Sequence, residues 1–260
     1  MNLTYLRLEI VRILRDPKYA ALAVVAPIGF YLLFATVFGG APTQPGQLEP
    51  KVEIMVAMAA YGGIWAVLST TGPRIAEERQ SAWFEQLKTM PMTTMQVLVS
   101  KLLASVLMAL PAIVLVCVTA AVVEGVQLSL AQWVSLVVVL WIGTAAFSTM
   151  GIACGYAVGA DVAYALSYGI YMAMSAAGGL FVPPTVLPAG MQDAAHALPT
   201  FQLADLGWQV ALGNTPALPG ILVLAAWAAG FAVIAFVAYQ RPRLRNRAAA
   251  APRAVDKLAA

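Results

Sequence analysis

Few side chains in these 260 residues could do covalent or metal chemistry. There is one histidine, His196, and there are two cysteines, Cys117 and Cys154. The chain alone therefore builds neither a Cys/His zinc cage nor a disulfide framework, and no metal site is expected. Both cysteines lie in apolar runs and read as small buried residues. No Gly-Lys dipeptide occurs, so the phosphate loop G-x-x-x-x-G-K-[ST] is absent. Neither a GxSxG elbow nor an HExxH helix is present. Two patterns remain. Trp83, Leu87 and Met90 recur at i, i+4 and i+7 with Phe84 beside them. Glu77, Glu78, Arg79, Glu85 and Lys88 take the polar positions, and Pro91 stops the run. That is a short amphipathic helix whose aromatics suit a protein or membrane contact, where a plain solvated loop need not gather two of them. The second pattern is Tyr164, Tyr168 and Tyr171, with Ser167 between them.

The elements that must position these residues follow from composition. The chain is 61% hydrophobic and 10% charged, against about 25% charged in a soluble domain. A soluble core of this length could not hide so much apolar surface, and disorder requires the opposite bias. Six uncharged runs are long enough for helices crossing about 30 Å of hydrocarbon. They are residues 19–38, 54–71, 102–123, 133–155, 162–181 and 220–239. None alternates as a barrel strand would. The expected fold is all-α, a polytopic membrane protein with six transmembrane helices in a single domain over 1–240 and a basic tail over 241–260. The first run is too long, and starts too late, for a signal-peptide core, so it is read as a retained span.

Orientation follows from lysine and arginine. Arg7, Arg12, Arg15 and Lys18 precede the first span, and Arg74, Arg79, Lys88 and Lys101 lie between the second and third. Arg241, Arg243, Arg245, Arg247, Arg253 and Lys257 follow the sixth, leaving Lys51 alone on the other side. Both termini are expected in the cytoplasm. Leu3, Leu6, Ile10, Ile13 and Leu14 give residues 1–18 a helical apolar stripe, expected to lie in the cytoplasmic interface. The tail arginines suit anionic lipid headgroups, with no nucleic-acid module. Pro27 and Pro111 fall inside spans and predict kinks. Gly151, Gly155 and Gly159 repeat at every fourth position, a spacing for close helix packing. Tyr171 stands about 13 Å into the fifth span. Its phenol wants a partner there, either a neighbouring helix or an amphipathic cargo moving along a path through Tyr164, Ser167, Tyr168 and Tyr171. Asp161 is placed at the cytoplasmic boundary, His196 is given no chemistry, and no ionisable residue lies within a span to act as an ion relay.

The whole pattern resembles the ABC-2 type permeases, membrane subunits of ATP-driven bacterial exporters. Its most specific part is Glu77-Glu78-Arg79, Leu87, Pro91 and Lys101, similar to the family's E-R, L, P and K signature. Ser81 and Ala82 stand where the family usually has Gly. The closest likeness is to drug- and antibiotic-resistance permeases. The resemblance implies a half-transporter in a prokaryotic plasma (inner) membrane, paired with a second copy or a related permease. It binds no cofactor itself, because separate ABC ATPase subunits hold ATP and Mg. The implied coupling segment to that ATPase is Glu77, Glu78, Arg79, Trp83, Phe84, Glu85, Leu87, Met90 and Pro91. The implied cargo is hydrophobic or amphipathic. Two readings from other classes compete, an ATP-independent carrier or channel and a non-transporting scaffold. Neither makes the chain an enzyme.

Overall fold

A computed structural model describes residues 24–43, 46–80, 94–181 and 189–256, together with Arg7 and Val11. The regular elements among the described residues are all helices, with no strand among them. In chain order the helices are α1 (Ala26–Phe38), α2 (Pro50–Gln80), α3 (Thr94–Val123), α4 (Leu130–Gly143), α5 (Ala145–Ala157), α6 (Ala160–Ala177), α7 (Ala189–His196), α8 (Pro199–Ala211) and α9 (Leu218–Asp256). Among the described residues four segments are long and apolar enough to cross a membrane: Pro50–Gln80, Gln96–Val123, Leu130–Ala157 and Leu218–Gln240. The chain is thus a multi-pass membrane protein. Of the expected first span, residues 19–23 lie outside the described residues and α1 holds 13 of the rest; the fifth appears as the 18 residues of α6. The interfacial helix expected over residues 1–18 lies outside the described residues, save for Arg7 and Val11.

α2 is the axis of the bundle. In its most apolar stretch 78% of residues are buried, against 17% in α9, which lies at the periphery. α2 packs against α1, α3, α5, α6 and α8, while α9 leans on α5 and α8. Ile64, Leu68, Ile113 and Leu136 are fully buried around it. The outward residues of α9, among them Val233, Ile234 and Phe236, are exposed, as a lipid-facing helix requires. Polar bonds between helices supply the rest. Ser105 and Ser148 hydroxyls meet at 2.8 Å between α3 and α5. The Trp141 indole donates to the Val106 carbonyl at 2.7 Å, and Thr200 to the Met174 carbonyl at 2.6 Å.

Gly72-Pro73 does not end the second span. α2 runs through both residues to Gln80, so Glu77, Glu78 and Arg79 lie on the spanning helix rather than on a separate short amphipathic one. Tertiary packing outweighs the local breaker signal. The missing Cβ of Gly72 leaves room for the Ser167 hydroxyl at 2.6 Å and the Gly151 carbonyl at 3.2 Å. The hydroxyls of Ser69, Thr70 and Thr71 donate back to carbonyls of the preceding turn, a pattern that tolerates a local bend. Pro27 sits in the first turn of α1 after a π-helical turn at residues 24 and 25, and packs on Gly62. Pro111 is carried inside a continuous α3. The fourth run is two helices separated by one residue, Thr144, whose hydroxyl donates to the Trp141 carbonyl. Ser129 and Gln132 form a capping box at the start of α4.

The glycine spacing serves the α2–α5 crossing. A Cβ on Gly151 would collide with the Thr71 hydroxyl. One on Gly155 would stand 2.6 Å from the Gly72 carbonyl and 2.9 Å from Ile75 Cβ. Gly159 has a different task, as the N-cap of α6. Gly155→Leu is expected to destabilise the fold by about 1–3 kcal/mol or more through overpacking. Gly169→Ala, at a site with nothing within 4 Å, should stay within about 0.5 kcal/mol of the parent. Denaturant titration in detergent compares the two.

Candidate coupling and translocation site

At the Gln80 end of the bundle, three consecutive charged residues of α2 point three ways, as the helical step of about 100° dictates. Glu77 is exposed. Glu78 is only 5% exposed, and its Oε2 lies 2.6 Å from Nζ of Lys101 on α3, itself 7% exposed. Such a pair is held at close range where water screens it little. Arg79 turns toward α5. Its Nη1 donates to the carbonyl oxygens of Gly155 at 2.8 Å, Tyr156 at 3.0 Å and Val158 at 3.4 Å. Its guanidinium also lies 5.4 Å from the Tyr156 ring centroid.

Those carbonyls close the C-terminus of α5, where the backbone has no further N–H donors of its own. Arg79 is thus a C-cap supplied by another helix, with its charge at the negative end of the α5 dipole. Gly155 makes the reach possible, because a side chain there would hold α2 away. Glu78, Arg79 and Lys101 consequently tie α2, α3 and α5 together at one end. α2 ends at Gln80 and α3 begins at Thr94, so two members of this knot flank the intervening segment. Trp83, Phe84, Glu85, Leu87, Met90 and Pro91 lie in that segment, outside the described residues. α2 has 31 residues and α3 has 30, lengths of roughly 45 Å each. Both exceed the hydrocarbon thickness and can present the segment beyond the membrane.

The tyrosine stripe divides. Tyr171 is fully buried and donates to the Tyr61 carbonyl at 2.6 Å, which is the inter-helix bond of the two readings. Ser167 is buried against Gly72 at the α2–α6 contact. Tyr168 is half-buried, and Tyr164 is 52% exposed with its ring 4.3 Å from that of Tyr168. The stripe is one part of a longer aromatic ribbon. Tyr168 meets Trp65 at 5.6 Å, and Tyr171 stacks on Tyr61 at 5.1 Å. Tyr61 meets Phe30 and Phe181, and the series continues through Phe34 to Phe38. It runs along α1, α2 and α6 toward the Phe38 end of the bundle. Phe30, Phe34 and Phe38, and likewise Tyr61 and Trp65, are spaced by four. That signal is as plain as the one in the fifth span, but it is lost among apolar neighbours.

The remaining candidates stand apart. Cys117 and Cys154 are buried free thiols. His196 is exposed, edge-on to Phe201 at 4.4 Å. No three His, Cys, Asp or Glu side chains gather among the described residues. Near the Phe38 end, Asp205 of α8 accepts from Gln209, whose carbonyl side holds the Ala217 N–H. Burial raises the Asp205 carboxyl above the usual carboxylate range, and the Gln209 bond opposes that rise.

Comparison with known proteins gives two findings. A sequence model of the family described as "ABC-2 type transporter" matches residues 3–206. A protein of Bacillus subtilis (strain 168) named "Putative transport permease YvfS" is 22% identical over 219 residues. That alignment covers 84% of this chain and 89% of the relative. For the buried pair, Lys101→Met removes the ammonium that lies 2.6 Å from the Glu78 carboxylate and is expected to cost about 3–5 kcal/mol. Adding Glu78→Leu should recover most of that loss, because both charges then go together. Thermal melting of the two single variants and the double variant checks the pairing.

Proposed function

The chain belongs to the ABC-2 type transporter family, and from that premise we propose that it is the permease half of an ATP-driven exporter. On this reading it crosses a prokaryotic plasma membrane six times with both termini in the cytoplasm, so the Gln80 end is cytoplasmic. Two copies pair, and two separate ATPase subunits dock beneath them. Trp83, Phe84, Leu87 and Met90 enter an apolar cleft of the ATPase, and Glu77 and Glu85 set the orientation at its rim. The observation that carries the reading is the knot of Glu78, Arg79 and Lys101. It joins the two legs of the docking segment to each other and to α5. A push on the segment then moves three long helices together rather than bending a loop.

The energy source also favours a partner. The chain has no phosphate loop, and its uncharged runs contain no proton or cation relay. Work done on a cargo must enter from another subunit, and the docking segment offers the entry point. The cargo is amphipathic, because the ribbon from Tyr164 to Phe38 offers aromatic faces with a few hydroxyls instead of a charged or water-filled path.

Trp83→Ala is expected to insert into the membrane normally and to abolish ATP-dependent transport by vesicles containing both subunits. ATPase co-purification should fall with it. Transport at the parent rate by the Trp83→Ala protein would overturn the coupling role, and flux without any ATPase would favour a carrier.

A further inference from the structure

Where the aromatic ribbon ends, the chain forms a partly open cavity of about 350 Å³. It lies between the end of α1, the α1–α2 connection, the first turns of α2, the residues after α6, and α8. Phe34, Phe38, Phe181 and Trp208 form much of its wall. Phe34 meets Phe38 and Phe181 with centroids at 6.1 and 6.4 Å, and the Trp208 indole is fixed by donating to the Glu53 carbonyl at 3.0 Å. Among the described residues one charged residue lines the cavity, Glu53. Thr43 and Gln47 add neutral polar groups. The volume falls in the range of small-molecule sites, roughly 300–1,000 Å³, that are mostly apolar with a few placed polar groups.

The charge of this cavity is not balanced from within. Among the described residues neither Lys nor Arg lines it. Lys51, two residues before Glu53, is committed elsewhere, with Nζ 3.0 Å from the Glu124 carboxylate at the far end of α3. Glu53 stands in the first turn of α2 and is partly buried. An apolar anion entering the cavity would meet repulsion, and a plain acyl chain would leave the carboxylate desolvated without a partner. A metal ion would find one carboxylate and no further acidic, His or Cys ligand gathered with it among the described residues. An organic cation satisfies both halves, since its charge pairs with Glu53 and its apolar body lies against aromatic faces.

We propose that this cavity is a binding site for a monovalent organic cation with an apolar body, held by Glu53 and the Phe34, Phe38, Phe181 and Trp208 wall. The proposal rests on the permease reading and gives the amphipathic cargo a charge. In the six-span orientation the site lies at the outer face, so a cation that travels the ribbon reaches it last.

Tetraphenylphosphonium and tetraphenylborate share size and shape and differ in sign of charge, which makes them a matched pair of probes. Equilibrium dialysis measures each against the purified full-length chain in one detergent, with empty micelles as the blank. Saturable binding of the phosphonium, about one per chain, and far weaker binding of the borate are expected. Glu53→Gln should weaken the phosphonium at least about tenfold, without weakening the borate and without lowering the melting temperature. Ala41→Trp, at an exposed lining position, should reduce phosphonium binding while leaving the carboxylate in place. Equal binding of the two ions by the parent, or parental phosphonium affinity in Glu53→Gln, would overturn the proposal. The assay contains no ATPase, so such a failure would leave the permease reading standing. Continued transport by Trp83→Ala would in turn leave the cation site standing.

Discussion

A helix end buried against another helix must find donors for its last carbonyls, and here one guanidinium supplies them. Arg79 reaches from the last turn of α2 across the Gly155 surface to the end of α5. Much of the architecture at that end depends on this reach. It requires α2 to stay helical through Gly72-Pro73, since a break there would carry Arg79 away from α5. It requires glycine at 151 and 155, because a side chain at either would keep the helix axes too far apart. It also turns Glu78, one residue earlier on the helix, toward α3 and Lys101. One hydrogen-bonding requirement therefore fixes the relative position of three helices.

Much of this was legible in the sequence, and what was not has physical causes. The apolar runs located the helices, since only a bilayer or a large core can absorb so many uncharged residues in succession. α3 begins at Thr94, eight residues before the uncharged run at 102–123, because the polar residues around Lys101 continue the same helix beyond the apolar stretch. α2 was read too short. Gly-Pro is a local breaker signal, and the α5 and α6 surfaces that hold the helix together are distant in sequence. Gly151 and Gly155 were recognised as packing residues, while their partner helix could be learned only from the fold. The charged residues show the same division. Glu77, Glu78 and Arg79 read alike as polar positions of an amphipathic segment, yet one is exposed and two are spent inside the chain. Spacing places side chains around a helix, but the neighbours at each azimuth decide which become buried.

The aromatic residues illustrate the limit from the other side. A tyrosine stripe stands out in the fifth run because hydroxyls are rare there. Phe30, Phe34, Phe38, Tyr61 and Trp65 have the same spacing but share their helices with many other large apolar groups. Only three-dimensional proximity joins them with Tyr168 and Tyr171 into one ribbon. Along it, burial changes the character of each ring. Tyr171 is spent on a carbonyl, which makes it structural, while Tyr164 and Phe38 keep exposed surface at the two ends.

These two features, a knot at one end and a ribbon along the bundle, suggest how a chain without its own energy source can do transport work. A permease must move its cargo path when a partner pushes, and a compliant linkage would dissipate the push in local bending. Buried charge pairs resist such bending because separating them exposes each ion to a medium that solvates it poorly. Cross-helix capping does the same for the end of α5, whose carbonyls lose their donors if α2 moves alone. The ribbon has the opposite property. Aromatic contacts are broad in angle and weak one by one, of order 0.5–1.5 kcal/mol beyond area burial, so rings can slide without a large barrier. On the proposed permease reading, stiffness at the docking end and tolerance along the path are the division that force transmission would require. The sequence achieves it by burying its scarce charge at one end and distributing its aromatics along the length.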